Sequence, residues 1–431
     1  MGQTIVVLSG AKEAADVLDR LSQKTSDRPR LIKVNDFLCR GMEFTFLPRS
    51  TRWRTMRRAA HEGLHVGDLF AMLEEEARTL VQGLVEHPEV EHTQHIHRMA
   101  ASIGWRSIFG HDTVPLTGPD PTHHIDKQAV ELTVAMLPGG SIVDIFPPLK
   151  PIIARIAYLR RRADRWFEDM STYFEHYYSA NQTADHSSVS RNLKGIGGNL
   201  GLDSHTGAWI AGALFFAAED TAACAMLWFI YAMMLYPETG KAARKQLSEV
   251  VGERPPSFAD RGQLPQVDAM VKEVLRWRPP APLGVPHAAS EELVYGGFVI
   301  PRGAIVVANI YEISRDPLLY GDGDHFDPSR FIDTNQMLKA PERDSKDDYL
   351  CFGHGRRICV GKDLAINSLW ITIVHLLWAF DFKQREEDSV VPTATNFHDK
   401  GATIEPKRFL VSAIARHPNL MENLKTIVLD E

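Results

Sequence analysis

Apolar residues recur at helical spacing through most of this chain and alternate only in its later part. Residues 4–9 read as a short strand. Residues 11–22 then place Ala14, Ala15, Leu18 and Leu21 on one helical face. Segments 68–86 and 125–136 have the spacing of amphipathic helices. The stretch 139–151, with Pro147 and Pro148 adjacent, reads as a loop. A long helix rich in arginine and aromatics is expected over 152–180, and the polar residues 181–198 read as a linker-like loop. Residues 208–236 are apolar almost throughout. Pro237 opens a further helix to 251, and another runs over 266–277 until Pro279 and Pro280 end it. The texture then changes: 293–310 alternates and contains Gly296-Gly297 and Pro301-Arg302-Gly303, turn chemistry between short strands. A last strong helix is expected over 362–380. No internal repeat or low-complexity tract interrupts the series. The pattern predicts a mainly α (α+β) chain with a small strand-rich part late in the sequence.

The apolar run 208–236 is long enough to cross a bilayer. Glu219 and Asp220 sit near its middle, where charge is costly in lipid, so it reads as a buried helix with a functional polar break. Near the N-terminus, Ile5–Leu8 is too short for a signal peptide or a span. Met1-Gly2 hints at myristoylation, but Val6 stands where Ser or Thr is wanted. With 431 residues, 44% of them hydrophobic, the chain has ample material for a large core. A net charge of −7 and the lack of a long basic run argue against a nucleic-acid partner. Cys39, Cys224, Cys351 and Cys359 are too irregularly spaced for a disulfide framework and suit a reducing compartment.

The densest cluster of special residues is Phe352-Gly353-His354-Gly355-Arg356-Arg357-Ile358-Cys359-Val360-Gly361. Its glycines let the backbone lie close against a flat group. Backbone N–H groups and the start of the next helix stabilise an anionic sulfur at Cys359. Phe352 offers an apolar wall over that sulfur, and Arg357 offers a partner for a carboxylate. The bland alternative is a glycine-rich turn around a structural cysteine. The segment resembles the haem-binding loop of the cytochrome P-450 family, F-x-x-G-x-R-x-C-x-G, and the resemblance extends over nearly all the chain, with the texture of fungal, microsomal-type members. It implies Cys359 as axial ligand of a haem iron, with Phe352, Arg357 and Gly361 in cofactor binding. It also implies a large helical lobe and a small β lobe, with haem between a distal long helix and the proximal cysteine loop.

Other motifs follow in family order. Glu273-Val274-Leu275-Arg276 resembles E-x-x-R, although an i,i+3 ion pair alone is ordinary on any helix. Phe326-Asp327-Pro328-Ser329-Arg330-Phe331 resembles the segment carrying P-E-R-F, with Ser329 in place of Glu. Together they imply a buried triad of Glu273, Arg276 and Arg330 that locks the cysteine loop, since buried charges need partners. In the apolar run, Ala217-Ala218-Glu219-Asp220-Thr221-Ala222 resembles A-G-x-D/E-T-T and implies catalytic roles for Asp220 and Thr221 in proton delivery to dioxygen. Here Ala218 replaces Gly and Ala222 replaces a hydroxyl residue, which narrows the room for dioxygen. The alternative is a threonine bonded to its own i−4 carbonyl beside a solvated aspartate.

Trp53-Arg54-Thr55-Met56-Arg57-Arg58 resembles W-R-x-x-R, which places Trp53 and Arg57 within reach of haem propionates. The alternative is an exposed basic helix. His287 stands where relatives carry a propionate-facing His or Arg, and a satisfied core histidine is the competing reading. By family position, substrate contacts fall on Phe216, Ala217, Leu283, Val285, Thr403 and Ile404, which suits a lipophilic small molecule.

His61-Glu62-Gly63-Leu64-His65 matches the zinc-protease signature H-E-x-x-H. Gly63 weakens that helix and no third ligand is evident. His87, His92, His95 and His97 read as surface histidines. Pro148-Leu149-Lys150-Pro151 matches P-x-x-P in a loop resembling the family's F–G region, where Ile145 and Phe146 would touch a membrane surface.

The resemblance as a whole implies a monooxygenase that inserts one atom of dioxygen into its substrate. It implies haem b (iron protoporphyrin IX), electrons from NADPH through NADPH-cytochrome reductase, and a place in secondary metabolism. The expected location is the cytoplasmic side of the endoplasmic reticulum; with no transmembrane anchor evident, the reading is cytoplasmic or peripheral. The chain begins at what resembles the family's second strand. Residues 1–431 are therefore read as a single haem domain without the anchor, first helix and first strand. Two other classes remain open at this point. One is an isomerase or dehydratase that needs no external electrons, against which the Asp220-Thr221 pair argues; the other is a non-catalytic haem-binding protein.

Overall fold

A computed structural model describes residues 3–118, 120–137, 140–180, 187–341, 349–388, 393 and 395–425. It opens with strand β1 (Ile5–Leu8) and continues through helices α1 (Thr51–Gly63), α2 (Phe70–Glu86), α3 (His92–Gly104), α4 (His123–Met136), α5 (Ala157–Ser179) and α6 (Val189–Ile196). The central helix α7 (Ser204–Leu235) is followed by α8 (Lys241–Val250) and α9 (Pro265–Trp277). The strands β2 (His287–Ala288), β3 (Leu293–Tyr295), β4 (Phe298–Ile300) and β5 (Ile305–Ala308) come next. Helix α10 (Lys362–Ala379) then leads to β6 (Phe380–Gln384), β7 (Phe397–Asp399), β8 (Ile404–Pro406) and β9 (Val411–Ala415). The fold is mainly α with small sheets, as the periodicity predicts.

Helix α7 is the axis of the molecule. Asp203 caps it by accepting a hydrogen bond from Thr206 N at 2.7 Å. It is apolar on all sides because both of its halves are buried. The N-terminal half packs in a cluster with α1, α5 and α6, and the C-terminal half packs with α2, α3, α9 and α10. The run long enough to span a membrane is thus mostly inside the protein. Gly212 permits the close approach of α5, since a Cβ there would lie 2.5 Å from the ring of Phe174. In the small β part, β5 pairs in parallel with β1 (Ile5↔Ile305) and antiparallel with β2 (His287↔Val306). Strand β1 is an edge strand of this sheet among the described residues. The hairpin β7–β8 sets His398 opposite Glu405 and Asp399 opposite Ile404.

The structure departs from the periodicity in several places. The helix expected over 11–22 is a short α-helix, Ala11–Ala14, followed by a π-helical stretch, Ala15–Arg20. The loop expected over 139–151 contains the helical turns Ile142–Ile145 and Pro147–Leu149 and runs into Lys150–Ile153, and the long helix expected from 152 starts only at Ala157. In the linker expected over 181–198, residues 181–186 lie outside the described residues and Val189–Ile196 is helical. Ser188 caps that helix by accepting from Arg191 N at 3.2 Å, and its short apolar face, Val189 and Leu193, lies against Gly63 of α1.

Helix α3 has no simple apolar stripe because its polar side chains turn inward. Arg98 and Ser102, with Arg106 beyond the helix, bond the buried carboxylate of Glu76 at 3.1, 2.7 and 2.8 Å. His92 and His95 are likewise buried, which corrects the surface assignment for these two. His61 and His65 do not form an i,i+4 pair on one helix, because α1 ends at Gly63 and Leu64 is extended. Glu62 pairs with Arg58 at 2.6 Å, and the described residues hold no metal-binding cluster of three His, Cys, Asp or Glu side chains.

Candidate active site

The cysteine loop lies immediately before α10. Two 3₁₀ turns, Leu350–Phe352 and Gly355–Arg357, fold it back so that Cys359 N donates to Phe352 O at 2.8 Å. Gly355 is required twice over: its φ is +57°, and a Cβ would lie 2.2 Å from Leu18 O. Asp19 straps the loop, accepting from Gly355 N and pairing with His354 Nδ1 at 3.2 Å. The Cys359 side chain is solvent-accessible, yet burial still pushes its thiol above the ordinary value. The backbone N–H of Gly361, Arg57 and Lys362 act in the opposite sense and favour the thiolate.

A nest of cations lies beside this loop. Arg57, projecting from α1, donates to Ile358 O. Arg357 stacks on the Trp53 ring at 3.9 Å and donates to Ser26 O at 2.9 Å and Leu47 O at 2.7 Å. Its remaining nitrogen, Nη1, is buried and has no hydrogen-bond partner among the described residues. Arg28 had no motif to mark it. It bonds the carbonyls of Thr45, Val285 and Pro286 at 3.0, 2.7 and 2.8 Å.

Burial and then the neighbouring Arg357 and Arg57 hold Arg28 far below the usual guanidinium range. Burial and then Arg57 lower Arg357 to about 9. His287 Nδ1 lies 2.9 Å from Thr25 O; since a carbonyl only accepts, Nδ1 carries the proton and donates. Burial, and then Arg28, lower His287 to about 3, so it is neutral. Asp27 is the carboxylate that offsets Arg28 and Arg357. Three guanidiniums, one carboxylate and an orphaned buried N–H make a site that demands further anionic oxygen. With an accessible thiol next to it, the donor set fits a metal macrocycle bearing carboxylates, which is what haem is.

The polar break does not interrupt α7. Thr221 Oγ1 donates to Ala217 O at 2.7 Å. Asp220 has both oxygens engaged, one by Lys400 and the other by the hydroxyl of Thr403 at 2.5 Å. The Thr221 bond to Ala217 O is the one the alternative reading expects, but Asp220 is not the freely solvated aspartate of that reading. Thr403 uses its hydroxyl on Asp220 rather than presenting it freely. Ile404 is buried in β8, where its carbonyl accepts from Trp228 Nε1 at 3.1 Å. Ala217 is exposed and Phe216 half-buried against Phe174, while Leu283 and Val285 are exposed at 53% and 38%.

The triad residues meet in space. Glu273 is fully buried and accepts from Arg276 Nε and Nη2 at 2.6 and 2.8 Å, and from Arg330 Nε at 3.2 Å. Asp327 N adds a further bond at 2.7 Å. Arg276 reaches Ser314 O and Gly323 O, and Arg330 reaches Tyr320 O at 2.5 Å, which ties α9 to the segment around 314–330. Leu350 and Cys351, which lead into the cysteine loop, border the same small space as Arg276 and Tyr320.

Comparison with known proteins gives a consistent result. The family model described as Cytochrome P450 matches residues 1–413. A cytochrome P450 monooxygenase of Armillaria gallica is 37% identical over 431 aligned residues, covering 97% of this chain and 83% of its own. Cytochrome P450 monooxygenase 58 of Postia placenta is 35% identical, covering 99% of this chain and 83% of its own. A zebrafish cytochrome P450 solved with abiraterone superposes with a TM-score of 0.73 at 23% identity, covering 95% of this chain and 93% of that one, and supports the fold.

Proposed function

The chain belongs to the cytochrome P450 family, and from that membership we propose how its own residues carry out the family's reaction. The protein is a haem-dependent monooxygenase that takes electrons from a reductase and inserts one atom of dioxygen into an organic substrate. When bound, the haem supplies a redox-active iron at which dioxygen is activated.

Cys359 is the axial ligand. The Gly361 N–H and the positive charges of Arg57 and Lys362 favour the thiolate, burial outweighs them, and a bound iron would supply the rest. Trp53, Arg57 and Arg357 would hold the propionates, and Arg28 joins them; His287, neutral and with its one proton given to Thr25 O, fits the satisfied core histidine of the competing reading instead. The observation that carries this reading is the nest itself: mutually repelling, buried guanidiniums around an orphaned Arg357 Nη1, beside an accessible thiol. Phe352 and Gly361 shape the wall behind the sulfur.

Asp220 and Thr221 handle protons on the distal helix, with Asp220 as the carboxylate that passes the proton and Thr221, whose hydroxyl donates to Ala217 O, as an acceptor beside it. Glu273, Arg276 and Arg330 fix the loop that carries Cys359 and take no part in chemistry. Phe216, Ala217, Leu283 and Val285, with the β7–β8 hairpin at Thr403 and Ile404, bound a lipophilic small substrate. The cofactor is haem b, the electron donor NADPH through NADPH-cytochrome reductase, and the setting secondary metabolism. Residues 1–431 act as one haem domain. The exposed apolar side chains Ile142, Ile145, Phe146 and Ile152 support peripheral contact with the cytoplasmic face of the endoplasmic reticulum.

The test is the carbon monoxide difference spectrum of the reduced, haem-loaded protein. A strongly red-shifted band that is lost in Cys359→Ala is expected. A band unchanged in position and intensity in Cys359→Ala would overturn the assignment.

A further inference from the structure

Lys400 stands between two carboxylates. At the tip of the β7–β8 hairpin its ammonium contacts Asp220 Oδ1 on α7 and lies 3.5 Å from Glu405 Oε2 on the returning strand. The two carboxylates differ in how well they are satisfied. Asp220 also accepts from Thr403, at 2.5 Å, whereas Glu405 Oε2 is buried and has no hydrogen-bond partner among the described residues. A buried carboxylate oxygen without a donor is costly, and the nearest available donor is the ammonium already shared with Asp220. His398 and His97 face Glu405 at 3.5 and 4.0 Å, both at the edge of ion-pair range.

Glu405, His97 and His398 also line an open cavity of about 580 Å³ beside α3, so water reaches the far side of this carboxylate. The hairpin itself is fixed: Lys400 N donates to Thr403 O at 3.0 Å, and Gly401 N donates to Asp399 Oδ1 at 2.7 Å. Only side chains need to move for the ammonium to change partners.

We propose that Lys400 is a positioning residue for Asp220, a clamp with two rest positions, one on Asp220 and one on Glu405. With the ammonium on Asp220, that carboxylate is held toward the hairpin and away from Thr221. With the ammonium on Glu405, the buried oxygen gains its missing donor and Asp220 keeps only the rotatable Thr403 hydroxyl, so that its Oδ1 is open to exchange a proton with water. No bond is made or broken and no electron moves; one ion pair replaces another. The inference rests on the reading of Asp220 as the proton-handling group.

The test uses the haem-loaded protein and acetylation of its lysines by an activated acetate ester, with Lys400 scored by peptide mass spectrometry. An ammonium with two alternative partners stays protected when either one is removed. Asp220→Asn and Glu405→Gln alone are each expected to leave labelling of Lys400 near the parent rate. The double variant is expected to raise it by about tenfold or more, a non-additivity that marks shared partners. If Asp220→Asn alone gives the full rise, the second position does not exist and the proposal fails. Unfolding curves of each variant separate a local release from a general loosening.

A second readout is the share of electrons recovered as hydrogen peroxide during reductase-driven oxygen consumption. Glu405→Gln, which leaves the ammonium on Asp220, is expected to raise that share severalfold, and Lys400→Arg to stay closer to the parent than Lys400→Met. An unchanged share in Asp220→Asn would overturn the proton-handling reading and the purpose of the clamp with it. The labelling result tests the clamp by itself.

Discussion

Replacing Glu273 by glutamine removes one negative charge from a deeply buried ion cluster. The carboxylate is fully buried and serves four donors: Arg276 Nε and Nη2, Arg330 Nε and Asp327 N. A glutamine amide keeps one acceptor oxygen but turns an N–H₂ toward a guanidinium, so at least one donor loses its partner and two cations stay side by side. Breaking a buried pair from one side costs about 3–5 kcal/mol, a fifth or more of a typical domain's stability of roughly 5–15 kcal/mol. Arg330→Gln should cost less. Its side chain is 14% exposed against 2% for Arg276, its bond to Glu273 is the longest of the set, and water can reach the carbonyls it leaves. The assay is equilibrium urea unfolding of the haem-loaded protein followed by far-ultraviolet circular dichroism, with haem retention measured alongside. The expected order of loss is Glu273→Gln at or above Arg276→Gln, and both well above Arg330→Gln. An Arg330→Gln loss equal to or larger than that of Glu273→Gln would refute the reasoning, because it would mean that burial does not set the cost here.

Two further predictions come from other buried sites. Burial without a charged partner raises the Glu43 carboxyl to about 7, so the folded protein keeps this proton at a pH where the unfolded chain has released it. Wild-type stability should therefore fall as pH rises from about 4.5 to about 7, and Glu43→Gln should match wild type at pH 4 and exceed it by about 3 kcal/mol above pH 7, read as a widening gap in melting temperature. Gly212→Ala places a methyl 2.5 Å from the Phe174 ring and should cost about 1–3 kcal/mol, partly recovered when Phe174→Leu is added, as denaturant midpoints will show.

The elements that periodicity located are those with one solvated face or none. Helix α2 and helix α9 were visible within a few residues of their ends, and so was α7, where apolar residues run on all sides of a helix buried along both halves. Helix α3 was not visible, because Arg98, His95 and Ser102 point inward toward polar partners and break the stripe that an apolar core would impose. Helix α6 is eight residues long and rich in small polar residues, too short for a period to register. Among site residues, those in contiguous motifs were legible: Cys359, the Glu273–Arg276 pair, and Trp53 with Arg57. Arg28 was not, because its place in the nest is made by Thr45, Val285 and Pro286, two of them more than 250 residues away. The adjacent Asp27 and the following Pro29 gave no hint of it. The engagement of Asp220 by Lys400 was hidden for the same reason, since 180 residues separate the partners.

The two buried cationic clusters differ in one respect that assigns them different work. Around Glu273 every charge closes on another group of the same chain: the carboxylate has four donors, and the guanidiniums of Arg276 and Arg330 reach backbone carbonyls with the nitrogens that remain. Such a cluster needs nothing from outside and can only hold the chain in place. Around Arg357 the account stays open. Arg57 depresses both Arg28 and Arg357, Arg357 depresses Arg28, Asp27 offsets the latter two only in part, and Nη1 of Arg357 has no acceptor among the described residues. A fold that gathers buried positive charge without enough negative charge of its own is unstable in that region until an anion arrives. The anion must enter beside Cys359, since the guanidinium of Arg57 lies on the loop carbonyl of Ile358 and also bears on the sulfur. On the proposed reading, the residues that would receive the cofactor's carboxylates therefore sit beside the cysteine loop that would ligate its iron.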